Sequence, residues 1–316
     1  MSNIFEVKEP SKFAKKTTLI GGIPVHAYYN SALANPFDES TFAEAESLKV
    51  LFLLHGLSRS SDTQEEIGKT ILHHYYPLVA EVSSDNIEPL IIFSFDHRNH
   101  GARLQDSSRN LNYKGGNDYH SADMLSYIDA ATHDLKNIID FLPGYIPLLS
   151  NFKLTKILGG VSLGGHSVIR FVTAYPGVFD GAIPIVGSFD LTSLYINRLQ
   201  PLGETQIYNS SYKDIKDKLL DIKYYPEALF LKSAKDDSFV YHNYDINKLK
   251  TLALFGKTDK VVTLDHSIPF LDKINQLPKD RSLLDVNEKF QAIHYPAGHV
   301  VNEEMIDDIT KWLVYF

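Results

Sequence analysis

The chain has 316 residues, of which 44% are hydrophobic and 22% charged, and its 31 basic and 39 acidic side chains give a formal net charge of −8 at pH 7. This composition is typical of a globular protein with a substantial core, and the negative charge argues against nucleic acid or an anionic membrane as a partner. The absence of cysteine excludes disulfides, thiolate metal sites and a cysteine nucleophile.

Targeting and membrane signals are missing from the sequence. Residues 1–16 contain no apolar segment of the kind found in signal peptides. No apolar run approaches the roughly 20 residues that cross a bilayer. We therefore expect a cytoplasmic protein with no membrane insertion.

Hydrophobic periodicity predicts strands that alternate with helices. In chain order these are strands at 17–20, 23–29 and 48–54, a helix at 63–82, a strand at 89–95, a helix at 121–142, strands at 181–187, 252–255 and 290–294, and a helix at 302–315. Most of the strands are short, apolar and followed by polar or small residues, which is typical of a doubly wound parallel sheet. Ligands of such sheets bind outside the carboxyl ends of the strands.

Residues 188–250, called the insertion below, do not fit this alternation. About 60 residues lie between two predicted strands, where α/β connections are usually far shorter. The segment is rich in tyrosine, with Tyr195, Tyr208 and Tyr225 among others. We expect one domain over residues 1–316, in which the insertion forms a cap over the site.

The sequence KILGGVSLGGH, residues 156–166, predicts a strand, a sharp turn and a helix, with Ser162 at the turn. A tight turn of this kind requires residues without bulk on either side of the serine, and Gly160 and Gly164 meet that requirement. The turn holds the serine hydroxyl clear of the sheet. Ser162 is therefore the candidate nucleophile.

A serine hydroxyl needs a histidine to take its proton and a carboxylate to orient that histidine. His299 follows the last predicted strand in the sequence PAGHV, and Asp259 follows the preceding strand in FGKTDKVV. The chain order Ser162, Asp259, His299 is the order expected for this type of turn. These three residues are the predicted catalytic triad.

His55-Gly56-Leu57 ends the predicted strand at 48–54. A His-Gly pair there lets the backbone bend toward Ser162, so that the N–H groups of Leu57 and Leu163 can form an oxyanion hole. For the His55 side chain itself we favour a structural packing role.

These motifs resemble those of the α/β-hydrolase superfamily, serine-nucleophile type. The resemblance rests on HGL at 55–57, GVSLG at 160–164, GKTDKV at 256–261 and AGHV at 297–300, and DHRNHG at 96–101 is similar to a loop in cap-bearing esterases and peptidase-like members. It implies a mostly parallel eight-stranded sheet with helices on both faces. It also implies a small-molecule acyl substrate, hydrolysis through an acyl-serine, and no cofactor or metal.

Three alternatives remain open at this stage. Asp190 also follows a predicted strand and could replace Asp259 as the triad acid. The same machinery could serve a peptidase instead of an esterase, or the fold could be retained as a binding protein without catalysis. His97 and His100 lie three apart in a loop, but the sequence contains no HExxH helix, which argues against a zinc site.

Overall fold

The structure is a computed structural model that describes residues 13–42, 45–82, 88–219 and 222–316. Its strands are β1 (Phe13–Ile20), β2 (Ile23–Asn30), β3 (Ser47–Leu54), β4 (Leu90–Phe95), β5 (Lys153–Val161), β6 (Gly181–Ile185), β7 (Lys250–Gly256), β8 (Lys279–Asp280) and β9 (Phe290–Tyr295). Its α-helices are α1 (Ser61–Val82), α2 (His120–Tyr145), α3 (Leu163–Ala174), α4 (Leu191–Leu199), α5 (Tyr212–Lys216), α6 (Glu227–Asn243), α7 (Ile268–Lys273) and α8 (Glu303–Val314).

In the described parts of the chain, nine strands form one sheet in the order β1-β2-β4-β3-β5-β6-β7-β9-β8. β1, β2 and β4 pair antiparallel, and every other pairing is parallel. The predicted mostly parallel α/β sheet is therefore confirmed. The strand beyond the expected eight is β8, which has two residues and is too short to show a hydrophobic period.

Helices cover both faces of the sheet, and the side chains of β3 show why. Val50 and Phe52 pack in the layer that holds α2 and α3, whereas Leu51 and Leu53 pack in the layer that holds α1 and α8. Successive strand residues point to opposite faces, so a run that is apolar at every position must be buried on both. No helix in the described ranges is both long and apolar enough to cross a membrane.

The parallel strands end at one edge of the sheet, and this edge carries the predicted site residues. His55 follows β3, Ser162 follows β5, Asp259 follows β7 and His299 follows β9. Strand pairing thus gathers residues that are far apart in sequence.

The insertion contributes α4, α5 and α6, and its last residue, Lys250, already belongs to β7. Apolar residues of the insertion form a buried cluster that includes Leu163 and against which Leu57 packs. The cluster members from the three helices include Leu191, Leu194, Tyr195, Ile215 and Phe230. The insertion therefore lies on the same edge of the sheet as the residues predicted to line the oxyanion hole.

The turn between β5 and α3 is packed so closely that it leaves no room for side chains at its glycines. A Cβ atom on Gly164 would lie within 3.0 Å of the Leu54 carbonyl oxygen, and one on Gly160 within 3.0 Å of the Gly164 backbone. Both obstacles are main-chain atoms, which cannot move aside as a flexible side chain would. The close approach of α3 to β3 and β5 therefore requires glycine at both positions.

We expect Gly164→Ala to lower the free energy of unfolding by about 1 to 3 kcal/mol or more, because the new methyl group collides with backbone. Urea denaturation measures the change. Gly144→Ala is the matched control, since Gly144 lies in α2 and a Cβ there meets no atom within 4 Å. The control should be neutral or stabilising by up to about 1 kcal/mol. Equal effects of the two substitutions would contradict the steric explanation.

Candidate active site

Ser162 occupies a strained backbone conformation between β5 and α3, with φ 54° and ψ −109°. A non-glycine residue held in such a region costs of order 1 to 3 kcal/mol, so its surroundings must hold it there. The Ser162 N–H donates to the Ile185 carbonyl at 2.9 Å, and the Ser162 carbonyl accepts from the His166 N–H at 2.9 Å. The sheet and the helix thus fix the serine from both sides.

The structure brings Ser162, His299 and Asp259 together. His299 Nε2 lies 2.8 Å from Ser162 Oγ, and His299 Nδ1 lies 2.7 Å from Asp259 Oδ2. An ionised carboxylate can only accept a hydrogen bond, so Nδ1 carries the imidazole proton and Nε2 accepts from the serine hydroxyl. The three side chains therefore form one directed line of hydrogen bonds, of the kind that activates a serine.

Asp259 is almost fully buried, with 1% of its side chain exposed. Burial by itself raises the pKa of this carboxyl group, but hydrogen bonds from His299 and from the N–H groups of Val262 and Val261 outweigh it and hold the pKa below its ordinary value. The two backbone bonds measure 3.0 Å and 2.8 Å. Asp259 is therefore a carboxylate at neutral pH, as an orienting group for His299 must be.

A backbone hydrogen bond connects the loops that carry Asp259 and His299. Thr258 N–H donates to the Ala297 carbonyl at 3.0 Å. A Cβ atom on Gly256, the last residue of β7, would lie within 3.0 Å of the carbonyl oxygens of Ala297 and Gly298. Gly256 is thus a residue whose structural role the sequence reasoning missed. Its position at a strand end in the Asp259 motif was the available signal.

The His55-Gly56-Leu57 turn contacts the serine. A Cβ atom on Gly56 would lie 3.5 Å from Ser162 Cβ, which places this backbone against the candidate nucleophile. Within the part of the chain that the structure describes, the N–H groups of Leu57 and Leu163 donate no hydrogen bond. Leu163 is the first residue of α3, where the helix dipole is positive. Both N–H groups are therefore available to a ligand on Ser162.

His55 joins the ends of β3 and β4. It is completely buried, its Nδ1 donates to the Gly56 carbonyl at 2.8 Å, and its Nε2 accepts from the His97 N–H at 2.9 Å. His97 Nε2 in turn donates to the His55 carbonyl at 3.0 Å. Burial lowers the pKa of His55 to about 4, so the ring is neutral. His55 and His97 therefore link the ends of β3 and β4 through two hydrogen bonds.

The loop after β4 is braced by its own charged residues. Asp96 accepts from the N–H groups of Ser61 and Ala102 at 2.7 and 2.8 Å. Arg98 pairs with Asp134 of α2 at 2.9 Å, so it ties the loop to a helix. Among the described residues, no group of three or more His, Cys, Asp or Glu side chains is placed to hold a metal ion.

Asp190, the alternative triad acid, forms no hydrogen bond or ion pair with His299 and instead caps α4. Its carboxylate accepts from the N–H groups of Ser193 and Gln206 at 2.9 and 2.8 Å. Burial, followed by the neighbouring charge of Asp237, raises its pKa to about 7. Asp190 and Asp259 both follow strands, but only Asp259 lies within hydrogen-bond distance of the imidazole.

Two polar residues of α4 lie near the site, and the sequence had singled out only Tyr195, as one of the tyrosines of the insertion. Arg198 of α4 reaches the loop after Asp259 and donates to the Val261 carbonyl from Nη2 at 2.8 Å. Tyr195, one turn earlier on the same helix, packs in the cluster that contains Leu163. Neither residue belongs to a recognisable motif, and only the fold of the insertion brings them to this edge of the sheet.

Comparison with known proteins gives matches in structure but not in sequence. No protein-family model matches the chain, and no curated protein matches it significantly. It is similar to Est1E from Butyrivibrio proteoclasticus, solved with ferulic acid bound, at 13% identity and a TM-score of 0.50, covering 95% of this chain and 96% of that one.

Two further structures extend the comparison. An esterase from Pyrococcus furiosus matches at 14% identity and a TM-score of 0.50, covering 98% of this chain and 96% of that one. An acylaminoacyl peptidase from Pyrococcus horikoshii matches at 13% identity and a TM-score of 0.54, covering 98% of this chain but 42% of the peptidase. At such identities the likeness concerns the fold. By its sheet topology and these comparisons, the chain has the α/β-hydrolase fold.

Proposed function

We propose that this protein is a serine hydrolase that cleaves a carboxylic ester or a related acyl bond of a small molecule. The observation that carries the proposal is the line of hydrogen bonds from Asp259 through His299 to Ser162, which lies at a strained strand-to-helix turn. Acyl transfer to a serine requires a nucleophile, a base that takes its proton and a carboxylate that orients the base, hydrogen-bonded in this order.

In the proposed reaction, Ser162 Oγ attacks the acyl carbon while His299 Nε2 takes its proton. Asp259 stabilises the imidazolium that forms. The imidazolium then gives the proton to the departing alcohol oxygen, which leaves an acyl-serine ester. Water attacks this ester with His299 again as base, releasing the acid and restoring the Ser162 hydroxyl. No step calls for a cofactor or a metal ion.

The N–H groups of Leu57 and Leu163 are the proposed oxyanion hole. The negative charge on the substrate oxygen grows as the tetrahedral intermediate forms, and fixed donors that need no reorganisation stabilise it most. Gly56 and the glycines of the β5–α3 turn support this arrangement because they let the two backbone segments approach Ser162. We further propose that residues 1–316 form one catalytic domain in which the insertion is a cap, since it packs against Leu57 and Leu163.

Ser162→Ala should reduce the hydrolysis of p-nitrophenyl acetate or butyrate by about 10⁶-fold, effectively to the background rate, because the attacking oxygen is gone. Its unfolding midpoint should stay close to that of the parent protein. Ser167→Ala is the matched control: Ser167 lies on the same helix, but its hydroxyl bonds to the Leu163 carbonyl at 2.9 Å and does not touch His299. The control should retain activity.

A fluorophosphonate probe gives an independent measurement, because it reacts with an activated serine whatever the natural substrate is. The parent protein should be labelled at Ser162, and labelling should vanish in Ser162→Ala. Absence of labelling in the folded parent protein would contradict the hydrolase proposal and favour a binding protein built on this fold.

Asp259→Asn should lower kcat by about 10⁴-fold, because the amide donates to Nδ1 and stabilises the wrong tautomer of His299. Asp190→Asn makes the same carboxyl-to-amide change at a residue that follows another strand, and it should leave kcat within about twofold of the parent value. Steady-state kinetics on a p-nitrophenyl ester, with the unfolding midpoint of each variant, measures both effects. The reverse ranking would make Asp190 the acid and refute the proposed triad.

A further inference from the structure

Arg198 is a cation beside the active site that has no carboxylate partner in the described residues. Its Nε and Nη2 donate to the Val261 carbonyl at 3.2 and 2.8 Å, and its guanidinium carbon lies 5.1 Å from the centre of the Tyr195 ring. Of the six other arginines, Arg59 is exposed and the remaining five each form an ion pair with an aspartate, namely Arg98, Arg103, Arg109, Arg170 and Arg281. Arg198 is half-buried, and the weakly hydrated guanidinium is the cation best suited to an ion pair in such a position.

Several buried side chains around Arg198 present polar atoms without a hydrogen-bond partner among the described residues, including His120 and His266, and two of them are at most 1% exposed. These two are the Tyr195 hydroxyl and His166 Nε2, and these residues are 0% and 1% exposed. The two rings meet edge to face with their centres 6.4 Å apart. A buried polar group without a partner costs free energy of order 1 to 3 kcal/mol, so such groups side by side point to a ligand.

The protonation of His166 makes it a donor. Its Nδ1 accepts from the Ser188 N–H at 2.9 Å, which puts the ring proton on Nε2. Burial, followed by the nearby charges of Arg198 and His299, holds its pKa well below the ordinary value, so the ring is neutral. Arg198, the Tyr195 hydroxyl and the His166 N–H therefore offer a positive charge and hydrogen-bond donors, which are complementary to a carboxylate.

These donors lie next to the reacting centre. His166 is one helical turn after Ser162, and its backbone N–H donates to the Ser162 carbonyl. Tyr195 packs in the same cluster as Leu163, and Arg198 holds the backbone two residues beyond Asp259. Asp259 is the carboxylate whose charge acts on Arg198, yet its oxygens are occupied by His299 and two backbone N–H groups.

We propose that the substrate carries a carboxylate close to its scissile acyl bond and that Arg198 binds it, assisted by the Tyr195 hydroxyl and the His166 N–H. As a statement about the substrate, this inference rests on the proposed hydrolase function. It narrows the substrate class from acyl compounds in general to anionic ones, in which the carboxylate belongs either to the acyl group or to the leaving group.

Two pairs of substrates test the proposal and show whether the carboxylate belongs to the acyl group or to the leaving group. p-Nitrophenyl hydrogen glutarate carries the charge on the acyl side, and its methyl ester is the neutral match. 4-Acetoxybenzoate carries the charge on the leaving side, and methyl 4-acetoxybenzoate is its neutral match. In Arg198→Met, kcat/KM for at least one charged substrate should fall about ten- to a hundredfold, while its neutral match changes little.

Three further variants sharpen the result. Arg198→Lys keeps the charge but lacks the planar guanidinium. Its kcat/KM for the charged substrate should lie between the values of the parent protein and of Arg198→Met. Tyr195→Phe removes only the unpartnered hydroxyl and should lower kcat/KM for the charged substrate but not for its neutral match. It provides the test if Arg198→Met fails to fold. Lys213→Met removes a positive charge from an exposed position of the insertion and should leave kcat/KM unchanged for both the charged and the neutral substrates.

Equal losses on charged and neutral substrates in Arg198→Met would overturn the proposal, because Arg198 would then act only by positioning the Val261 loop. Unchanged kinetics on all four substrates would overturn it as well.

Calorimetric binding of glutarate and of 4-hydroxybenzoate to Ser162→Ala separates this proposal from the hydrolase function. Binding of either compound that disappears when Arg198→Met is added supports the carboxylate site even if no substrate is hydrolysed. Absence of binding by both refutes it even if a fluorophosphonate labels Ser162.

Discussion

The backbone strain at Ser162 is the constraint on which the candidate site depends. Its φ of 54° is unfavourable for an L-residue, and the structure holds it there with hydrogen bonds to β6 and to the first turn of α3. The same turn brings Gly164 against the end of β3, so that the backbone of Gly56 meets the serine side chain. One local distortion thus positions the hydroxyl, the helix terminus and the neighbouring loop together.

Asp259 and Asp190 show how the environment separates two carboxylates that look equivalent in sequence. Both are buried just beyond a strand, and burial raises the pKa of each. At Asp259, His299 and two backbone N–H groups reverse that effect, whereas at Asp190 the nearby charge of Asp237 adds to it. Asp259 is hydrogen-bonded to the imidazole of His299, and Asp190 caps a helix of the insertion.

The sequence predicted the sheet well because its strands are unusually uniform. Runs such as Leu48–Leu54 are apolar at nearly every position, which requires burial on both faces and so a parallel central strand. The long helices were equally clear from their three-and-four spacing, and the observed helices α1 and α2 begin and end within about three residues of the predicted ones. β8 was missed because two residues carry no period.

By itself, the sequence determined that strands and helices alternate, that Ser162 sits in a glycine-lined turn, and that Asp259 and His299 follow strands in a compatible order. These features are local, since each depends on a few adjacent residues. Only the tertiary structure shows that Asp259, and not Asp190, lies 2.7 Å from His299, because that distance depends on how separate strands pair. Only the tertiary structure revealed Arg198, Tyr195 and His166 as neighbours. His166 lies in α3, whereas Tyr195 and Arg198 lie one turn apart in α4. No periodicity records a contact between two helices that arises when an irregular insertion folds back over the ends of the strands.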